Sequence, residues 1–214
     1  MKINMSYDNF PIAVVDNGGQ WTHREYRVLN YLGCRAEIVS NVTPIEELDR
    51  FQALVLSGGA PRIESESEAL GLISEYLDLE KWPILGICVG HQYMATHFQG
   101  KAGPADVPEF GSSLVSLIEE GWILKGFPKE FNVWESHNDE VHEMPKGFRI
   151  MASSDACQVQ VMQHETLPYA GIQYHPEVEN TEYGAEIFQN FLDKHLNGIN
   201  SFCLFSRNIK VIYI

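Results

Sequence analysis

The sequence has little positive charge. Among its 214 residues, 15 Lys and Arg stand against 29 Asp and Glu, which gives a formal net charge of −14. A field of that sign repels phosphate backbones and anionic lipid headgroups, so we expect neither nucleic acid nor a membrane surface as a partner. The charge also serves solubility, and this reading alone would account for it.

Closely spaced cysteines and long apolar runs are absent too. The cysteines are scattered at Cys34, Cys88, Cys157 and Cys203, which excludes a zinc ribbon and the disulfide framework of a small secreted domain. Residues 1–10 lack the apolar region of a signal peptide, and no apolar run reaches the roughly 18 residues of a membrane helix. We therefore expect reduced thiols and a cytoplasmic protein.

Short apolar segments alternate with helical patterns in the first half of the chain. The strand candidates are 12–15, 36–39, 53–56 and 83–87, and the helical patterns that follow them are 20–32, 43–49, 64–79 and 89–98. Strands that are apolar throughout are typical of a parallel sheet covered by helices on both faces.

The second half contains short strand candidates between turns and a last amphipathic helix. The strand candidates are 112–118, 131–134, 148–152, 158–162 and 170–174, and the helix is 181–196. The sequence thus predicts an α/β fold with an open, mostly parallel sheet flanked by helices and a smaller antiparallel portion. We expect one domain over residues 11–197, with terminal extensions 1–10 and 198–214 that have no assigned role.

One cysteine has the surroundings of a nucleophile. Gly86-Ile87-Cys88-Val89-Gly90 spans a predicted strand-to-helix junction, the pattern of a nucleophile elbow with Cys in place of Ser. The glycines permit a tight turn, and the start of the following helix favours a thiolate. A buried cysteine between two helix-packing glycines would give the same pattern, so the segment alone does not decide.

A base and an orienting group follow later in the chain. In Gln173-Tyr174-His175-Pro176-Glu177, one ring nitrogen of His175 can face a thiol while the other donates to Glu177. An isolated His-Pro-Glu is more often a surface histidine beside a loop proline. Its occurrence together with the elbow favours catalysis.

Two further segments follow predicted strands. Residues 57–61 (Ser-Gly-Gly-Ala-Pro) contain adjacent glycines whose N–H groups can approach a substrate, although an ordinary turn explains them equally well. Residues 133–139 read as a strand end followed by a polar loop.

Taken together, these four segments resemble the class I (triad) glutamine amidotransferases over residues 12–196. In that family a cysteine on an open α/β sheet attacks the side-chain amide of glutamine, ammonia leaves, and water hydrolyses the thioester to glutamate. The resemblance implies that Cys88 is the nucleophile, that His175 is the base and then the acid, and that Glu177 orients His175.

The resemblance also implies a set of binding groups. The N–H groups of Gly59 and Val89 would form the oxyanion hole. The side chain of Gln92 would hold the substrate L-glutamine, and the backbone around Ser136 and His137 would hold its α-amino and α-carboxylate ends.

Three segments are similar to motifs of GMP synthases: W-x-S-H-x-D-x-V at 134–141, H-P-E-V-x-x-T-x-x-G at 175–184 and D-x-G-x-Q at 16–20. The chain lacks an S-G-G-x-D-S loop for ATP, as does the separate glutaminase subunit of two-subunit GMP synthases. The resemblance implies a partner, an ATP-pyrophosphatase subunit that converts XMP to GMP with ATP and Mg²⁺. This chain would itself bind no metal and no cofactor, and Asp139 would be a candidate contact with the partner.

Other functions stay open at this point. The chain could serve anthranilate, carbamoyl phosphate or CTP synthesis with the same chemistry. It could also be a stand-alone cysteine hydrolase of this fold, against which Gln92 argues, or a regulatory module, against which the intact triad argues. The histidines His137, His142, His164 and His175 lack the spacing of metal ligands.

Overall fold

The computed structural model describes residue 7 and residues 10–195. Most of both predicted extensions, including Cys203, therefore lies outside the described residues. Within residues 10–195 the strands form a single sheet in the order β2-β1-β3-β4-β9-β8-β7-β5-β6. They are β1 (Pro11–Asp16), β2 (Arg35–Ser40), β3 (Ala53–Leu56), β4 (Ile84–Ile87), β5 (Lys101–Leu117), β6 (Glu130–Glu143), β7 (Phe148–Ser153), β8 (Val161–His164) and β9 (Tyr169–Ile172).

The sheet is mixed, and the two kinds of pairing are separated along it. Strands β2, β1, β3, β4 and β9 pair in parallel, and β9, β8, β7, β5 and β6 pair antiparallel. The predicted α/β fold with an antiparallel portion in the second half is confirmed. That portion is larger than the sequence indicated, because β5 and β6 form a long two-stranded ribbon.

Helices cover both faces of the parallel part. They are α1 (Thr22–Tyr31), α2 (Ile45–Leu48), α3 (Ile63–Glu66), α4 (Ile73–Asp78), α5 (Val89–His97) and α6 (184–195). Among the described helices none is long and apolar enough to cross a membrane.

The core is divided by the sheet into two apolar clusters. Val14 packs in a cluster with Leu29 of α1 and Phe188 of α6, whereas its neighbour Val15 packs in the other cluster with Leu77 of α4. Successive side chains of a strand point to opposite faces, so an all-apolar strand needs cover on both sides. The apolar runs of the first half are explained by this arrangement.

The helix predicted over 64–79 is interrupted. The structure has α3, a 3-10 turn at Ser67–Leu70 and then α4. Gly71 separates them with a φ of +61°, and a Cβ there would lie 2.5 Å from the carbonyl oxygen of Asn41. That oxygen also accepts the N–H of Leu72 at 2.8 Å. Close packing against the loop after β2 therefore separates the 3-10 turn from α4, a tertiary effect that helix propensity does not report.

The prediction of a polar loop within residues 133–139 is wrong. These residues lie inside β6, where Ser136 pairs with Phe110 and His137 with Glu109 of β5. The strand alternates, with Glu135 and His137 buried on one face. The sequence predicted a loop because a strand with buried polar residues is unusual. Here the polar residues of β6 line a cleft.

Candidate active site

The carboxyl ends of β1, β3 and β4 open onto a cleft of about 460 Å³. Ligands of open α/β sheets bind at this edge. The predicted site residues that line the cleft are Gly59, Cys88, Gln92, Ser136, His137, His175 and Glu177. Val89, the remaining member of the predicted set, follows Cys88 directly and is buried. The structure thus brings together residues that are far apart in the chain.

Cys88 lies at a strained turn between β4 and α5. Its φ of +49° and ψ of −108° belong to a region that residues other than glycine rarely adopt. A Cβ on Gly86 would lie 2.7 Å from the Gly90 backbone, and a Cβ on Gly90 would lie 2.5 Å from the carbonyl oxygen of Leu56. Both glycines of the elbow are therefore required by packing, as the sequence indicated.

His175 is held by contacts with four residues. Its Nδ1 lies 2.7 Å from Oε1 of Glu177, and its backbone N–H donates to the Trp134 carbonyl oxygen at 3.0 Å. The hydroxyl of Thr181 donates to the His175 carbonyl oxygen at 2.7 Å, and Trp21 lies edge-on with ring centroids 4.4 Å apart. With Nδ1 engaged by Glu177, Nε2 is the nitrogen available to Cys88.

The surroundings of His175 favour its charged form. Burial alone would lower the pKa of His175, but the negative charge of Glu177 and hydrogen bonds with Cys88 and Glu177 outweigh it. The pKa of His175 consequently lies well above its ordinary value of 6.5. A protonated imidazole beside a cysteine is the arrangement that supports a thiolate.

The glycine loop after β3 faces the elbow. A Cβ on Gly58 would lie 3.1 Å from Cε1 of His175, and a Cβ on Gly59 would lie 2.4 Å from the Asn17 carbonyl oxygen. The side-chain amide of Asn17 donates to the Ser57 carbonyl oxygen at 2.8 Å, which fixes the loop. The N–H of Val89, in the first turn of α5, has no partner within the helix. The glycine loop thus lies against Cys88, with a Cβ on Gly58 placed 3.6 Å from the Cβ of Cys88.

Gln92 lies one turn after Cys88 on the buried side of α5. Its Nε2 donates to the Asp139 carbonyl oxygen at 2.6 Å and to Oε1 of Gln173 at 3.1 Å. The amide nitrogen of Gln92 is therefore fully engaged, which leaves its oxygen for a substrate.

His137 carries a second buried charge. Its Nε2 lies 3.3 Å from Oε2 of Glu109 and 3.4 Å from Oε2 of Glu135. Burial opposes protonation of His137, but the hydrogen bond to Glu109 and the nearby carboxylate of Glu135 raise its pKa to about 10. These three residues are also the group of the described chain that could hold a metal ion, since their ligand atoms lie within 4.8 Å of one another. With His137 protonated, the imidazolium itself is the cation between the carboxylates.

Asp139 does not fit the partner contact predicted for it. Its carboxylate is buried and forms a two-point ion pair with Arg62, at 2.5 Å to Nη2 and 3.0 Å to Nε. It also accepts the N–H of Ile63 at 3.4 Å. Asp139 therefore joins β6 to the start of α3 at the cleft wall.

Sequence reasoning gave no role to Glu25, Trp21 or Gln173. Glu25 is buried in α1, and its Oε1 accepts the Gly58 N–H at 3.3 Å. Burial and the negative charge of Glu177 raise the pKa of Glu25 well above its ordinary value. Glu25 lies four residues before Leu29 and therefore on the apolar face of α1. A carboxylate at such a position is the feature of the sequence that could have indicated a role for Glu25.

Comparison with known families decides the classification. The family model for glutamine amidotransferase class-I matches residues 13–195. The chain belongs to the class-I glutamine amidotransferases. The matched region contains Cys88, His175 and Glu177.

Within this family, the chain is most informatively compared with relatives that have a curated name. The chain is 51% identical over 181 residues to a glutamine-hydrolyzing GMP synthase subunit of Thermoplasma acidophilum, covering 85% of this chain and 90% of that protein. It is 45% identical to the protein of the same name from Methanocaldococcus jannaschii, covering 84% and 95%.

A solved structure of a Thermoplasma acidophilum protein, described as the corresponding GMP synthase subunit, has a TM-score of 0.82 and 48% identity, covering 94% of this chain and 97% of that one. A glutamine amidotransferase of Thermotoga maritima, at 19% identity and a TM-score of 0.65, covers 89% of this chain and 84% of that one and supports the fold alone.

Proposed function

We propose that the chain hydrolyses L-glutamine to glutamate and ammonia and delivers the ammonia to a separate ATP-pyrophosphatase subunit that converts XMP to GMP. The observation that carries the chemistry is Cys88 at a strained elbow beside the His175–Glu177 pair. What supports the pathway is the identity of 42–51% to proteins named as glutamine-hydrolyzing GMP synthase subunits, over most of their length.

The first half of the reaction uses Cys88 and His175. The Cys88 thiolate attacks the side-chain carbonyl carbon of glutamine, and the oxygen takes the negative charge. The N–H groups of Gly59 and Val89 stabilise this oxyanion. As the C–N bond breaks, His175 donates its Nε2 proton to the leaving nitrogen, so that ammonia departs and a thioester remains.

The second half reverses the roles. Neutral His175 takes a proton from water, the hydroxide attacks the thioester, and the C–S bond breaks to return the thiolate and release glutamate. Glu177 holds the imidazole through Nδ1 in both halves and stabilises its charged form. These steps use no metal and no cofactor bound to this chain, and ATP and Mg²⁺ are used by the partner subunit.

The ends of the substrate lie further from the elbow. The oxygen of Gln92 and the backbone of Ser136 and His137 line the cleft and would hold the glutamine, with its α-amino and α-carboxylate groups on the β6 wall. The unpaired thiols Cys34, Cys88 and Cys157 fit a reducing compartment, so we place the reaction in the cytoplasm.

The test measures glutamate release by the purified chain, alone and with the ATP-pyrophosphatase subunit of the same organism, XMP, ATP and Mg²⁺. We expect glutamate release to rise with the partner and GMP to appear. Hydrolysis without GMP would keep the amidotransferase and remove the pathway. Absence of glutamine hydrolysis in both mixtures would overturn the proposal.

A further inference from the structure

A line of hydrogen bonds leads from β6 to the sulfur of Cys88. The Gln92 amide nitrogen donates to the Asp139 carbonyl oxygen at 2.6 Å and to Oε1 of Gln173 at 3.1 Å. On the other side, Nε2 of Gln173 lies 3.9 Å from Sγ of Cys88. Sulfur is larger than oxygen, so hydrogen bonds to it are longer.

The order of donors and acceptors along this line is fixed by chemistry. A backbone carbonyl oxygen only accepts, so the group of Gln92 that faces Asp139 must be its NH₂. The remaining N–H of Gln92 then requires an acceptor, which is the amide oxygen of Gln173. The NH₂ of Gln173 is consequently the end that faces Cys88. The orientation of both amides follows from the Asp139 carbonyl, although oxygen and nitrogen are alike in shape.

The backbone of Gln173 is fixed as well. The residue follows β9, is fully buried, and donates its N–H to the Gln160 carbonyl oxygen at 2.8 Å. The neighbouring strand β4 ends just before Cys88, whose N–H donates to the Ile172 carbonyl oxygen at 2.8 Å. Nucleophile and amide are therefore carried by paired strands and keep their separation.

We propose that Gln173 is a catalytic residue that stabilises the Cys88 thiolate by donating an amide N–H to its sulfur, and that Gln92 positions Gln173 for this task. The proposal rests on the proposed function only in taking Cys88 as the nucleophile. A neutral amide keeps both its hydrogens, so the proton that leaves Cys88 still goes to His175. The donor acts on the thiolate that attacks the substrate and again on the thiolate that hydrolysis of the thioester returns, because a hydrogen bond to an anion is stronger than one to a neutral group.

Alkylation of Cys88 by iodoacetamide tests this without glutamine. The rate of alkylation of the Cys88 peptide, followed by mass spectrometry from pH 5 to 10, reports the fraction of thiolate. Gln173→Met keeps the length and burial of the side chain but removes the donor. We expect the pH profile of alkylation to move to higher pH by an amount that corresponds to a change of about 10- to 100-fold in the thiol-thiolate equilibrium, the range for loss of a hydrogen bond to a charged group. At pH 10 the rate should approach that of the unchanged chain.

The matched control is Gln163→Met. Gln163 is also buried, but its amide oxygen accepts the N–H groups of Trp122 and Ile123, away from the cleft. This variant should lose stability and keep the alkylation profile of the unchanged chain. Equal profiles for all three proteins would overturn the proposal, as would a slower rate in both variants.

If Gln173→Met does not fold, a second variant tests the proposal. Gln92→Met leaves Gln173 in place and removes the group that orients it, so the pH profile of alkylation should move in the same direction by a smaller amount. An unchanged profile in Gln92→Met would then overturn the proposal. Since the assay contains no glutamine, these results are independent of glutamine binding. If the unchanged chain fails to hydrolyse glutamine but the alkylation profile shifts, the proposed function fails, whereas the stabilisation of the Cys88 thiolate by Gln173 stands.

Discussion

The backbone N–H of Cys88 donates to the carbonyl oxygen of Ile172 at 2.8 Å. This bond continues the parallel pairing of β4 with β9, in which Ile87 lies opposite Ile172. Three residues after Ile172 comes His175. The pairing of the two strands therefore sets the distance between nucleophile and base, and the turn after each strand aims the two side chains at one another.

The first prediction concerns the triad. Cys88→Ala should abolish glutamine hydrolysis, and His175→Ala should lower kcat by roughly 10³-fold or more, as loss of a triad base does. Glu177→Ala should cost less, because His175 stays in place through Trp134 and Thr181. The measurement is steady-state glutaminase activity of folded variants. Cys34→Ala, at a buried cysteine outside the cleft, is the control and should keep full activity.

A ranking with Glu177→Ala as damaging as Cys88→Ala would contradict this division of roles. Activity in Cys88→Ala would remove Cys88 as the nucleophile.

The second prediction concerns the elbow. In Gly90→Ala the new methyl group would lie 2.5 Å from the carbonyl oxygen of Leu56, so a backbone element must shift. We expect a loss of about 3 kcal/mol in the free energy of unfolding, the upper end for overpacking. Gly126→Ala is the comparison, since its φ of +83° is strained but its surroundings are open. A loss of about 1 kcal/mol is expected there. Urea unfolding measures both, and equal losses would contradict the packing argument.

Much of this site could be predicted from sequence because its chemistry is local. The elbow and the His-Pro-Glu segment each place a functional group within a few residues of a strand end, and the alternation of apolar runs with helical patterns predicted the strands that carry them. Gly86 and Gly90 were interpreted correctly because a tight turn restricts side chains in any fold.

The features that sequence reasoning missed depend on distant contacts. Helix 64–79 is broken because Gly71 meets the carbonyl oxygen of Asn41, and no local pattern reports that contact. Similarly, sequence reasoning made Asp139 a candidate contact with the partner, whereas in the structure its carboxylate forms an ion pair with Arg62. Polar residues on a strand such as β6 look like a loop because the cleft that explains their burial is formed by other strands.

The third prediction is a pH dependence due to His137. The pKa of His137 is raised to about 10 by Glu109 and Glu135 despite its burial. A raised histidine pKa contributes stability that is fully present below about pH 6.5 and is lost as the pH rises through about 10. Relative to His137→Gln, the unchanged chain should therefore be more stable at pH 6 than at pH 10.5, by urea unfolding.

His164→Gln is the control for His137→Gln, because its effect on stability should depend on pH in the opposite direction. Burial lowers the pKa of His164, so the unchanged chain should lose stability relative to this variant as the pH falls below about 6.5. Adding EDTA separates the imidazolium from a metal ion between the carboxylates. A stability at pH 7 that falls with EDTA would contradict the imidazolium interpretation.

The fourth prediction concerns Glu25, a buried carboxyl group. Burial and the charge of Glu177 raise the pKa of Glu25, against the Gly58 N–H and the charge of His175, while Asp16 adds a smaller repulsion. The folded chain thus holds a proton that the unfolded chain releases above about pH 4.5. Stability falls as the pH rises from there to the folded pKa and is level beyond it.

Glu25→Gln removes the ionisable group but keeps an oxygen for the Gly58 N–H. The variant should therefore gain in melting temperature over the unchanged chain as the pH rises from 4.5 to 8. Glu75→Gln, at an exposed position of α4, is the control and should show no such trend. If the difference between Glu25→Gln and the unchanged chain were the same at pH 4.5 and pH 8, Glu25 would be ionised in the folded chain. Its contact with Gly58 would then be a charge-assisted hydrogen bond that stabilises the glycine loop, and the variant would be the less stable protein at both pH values.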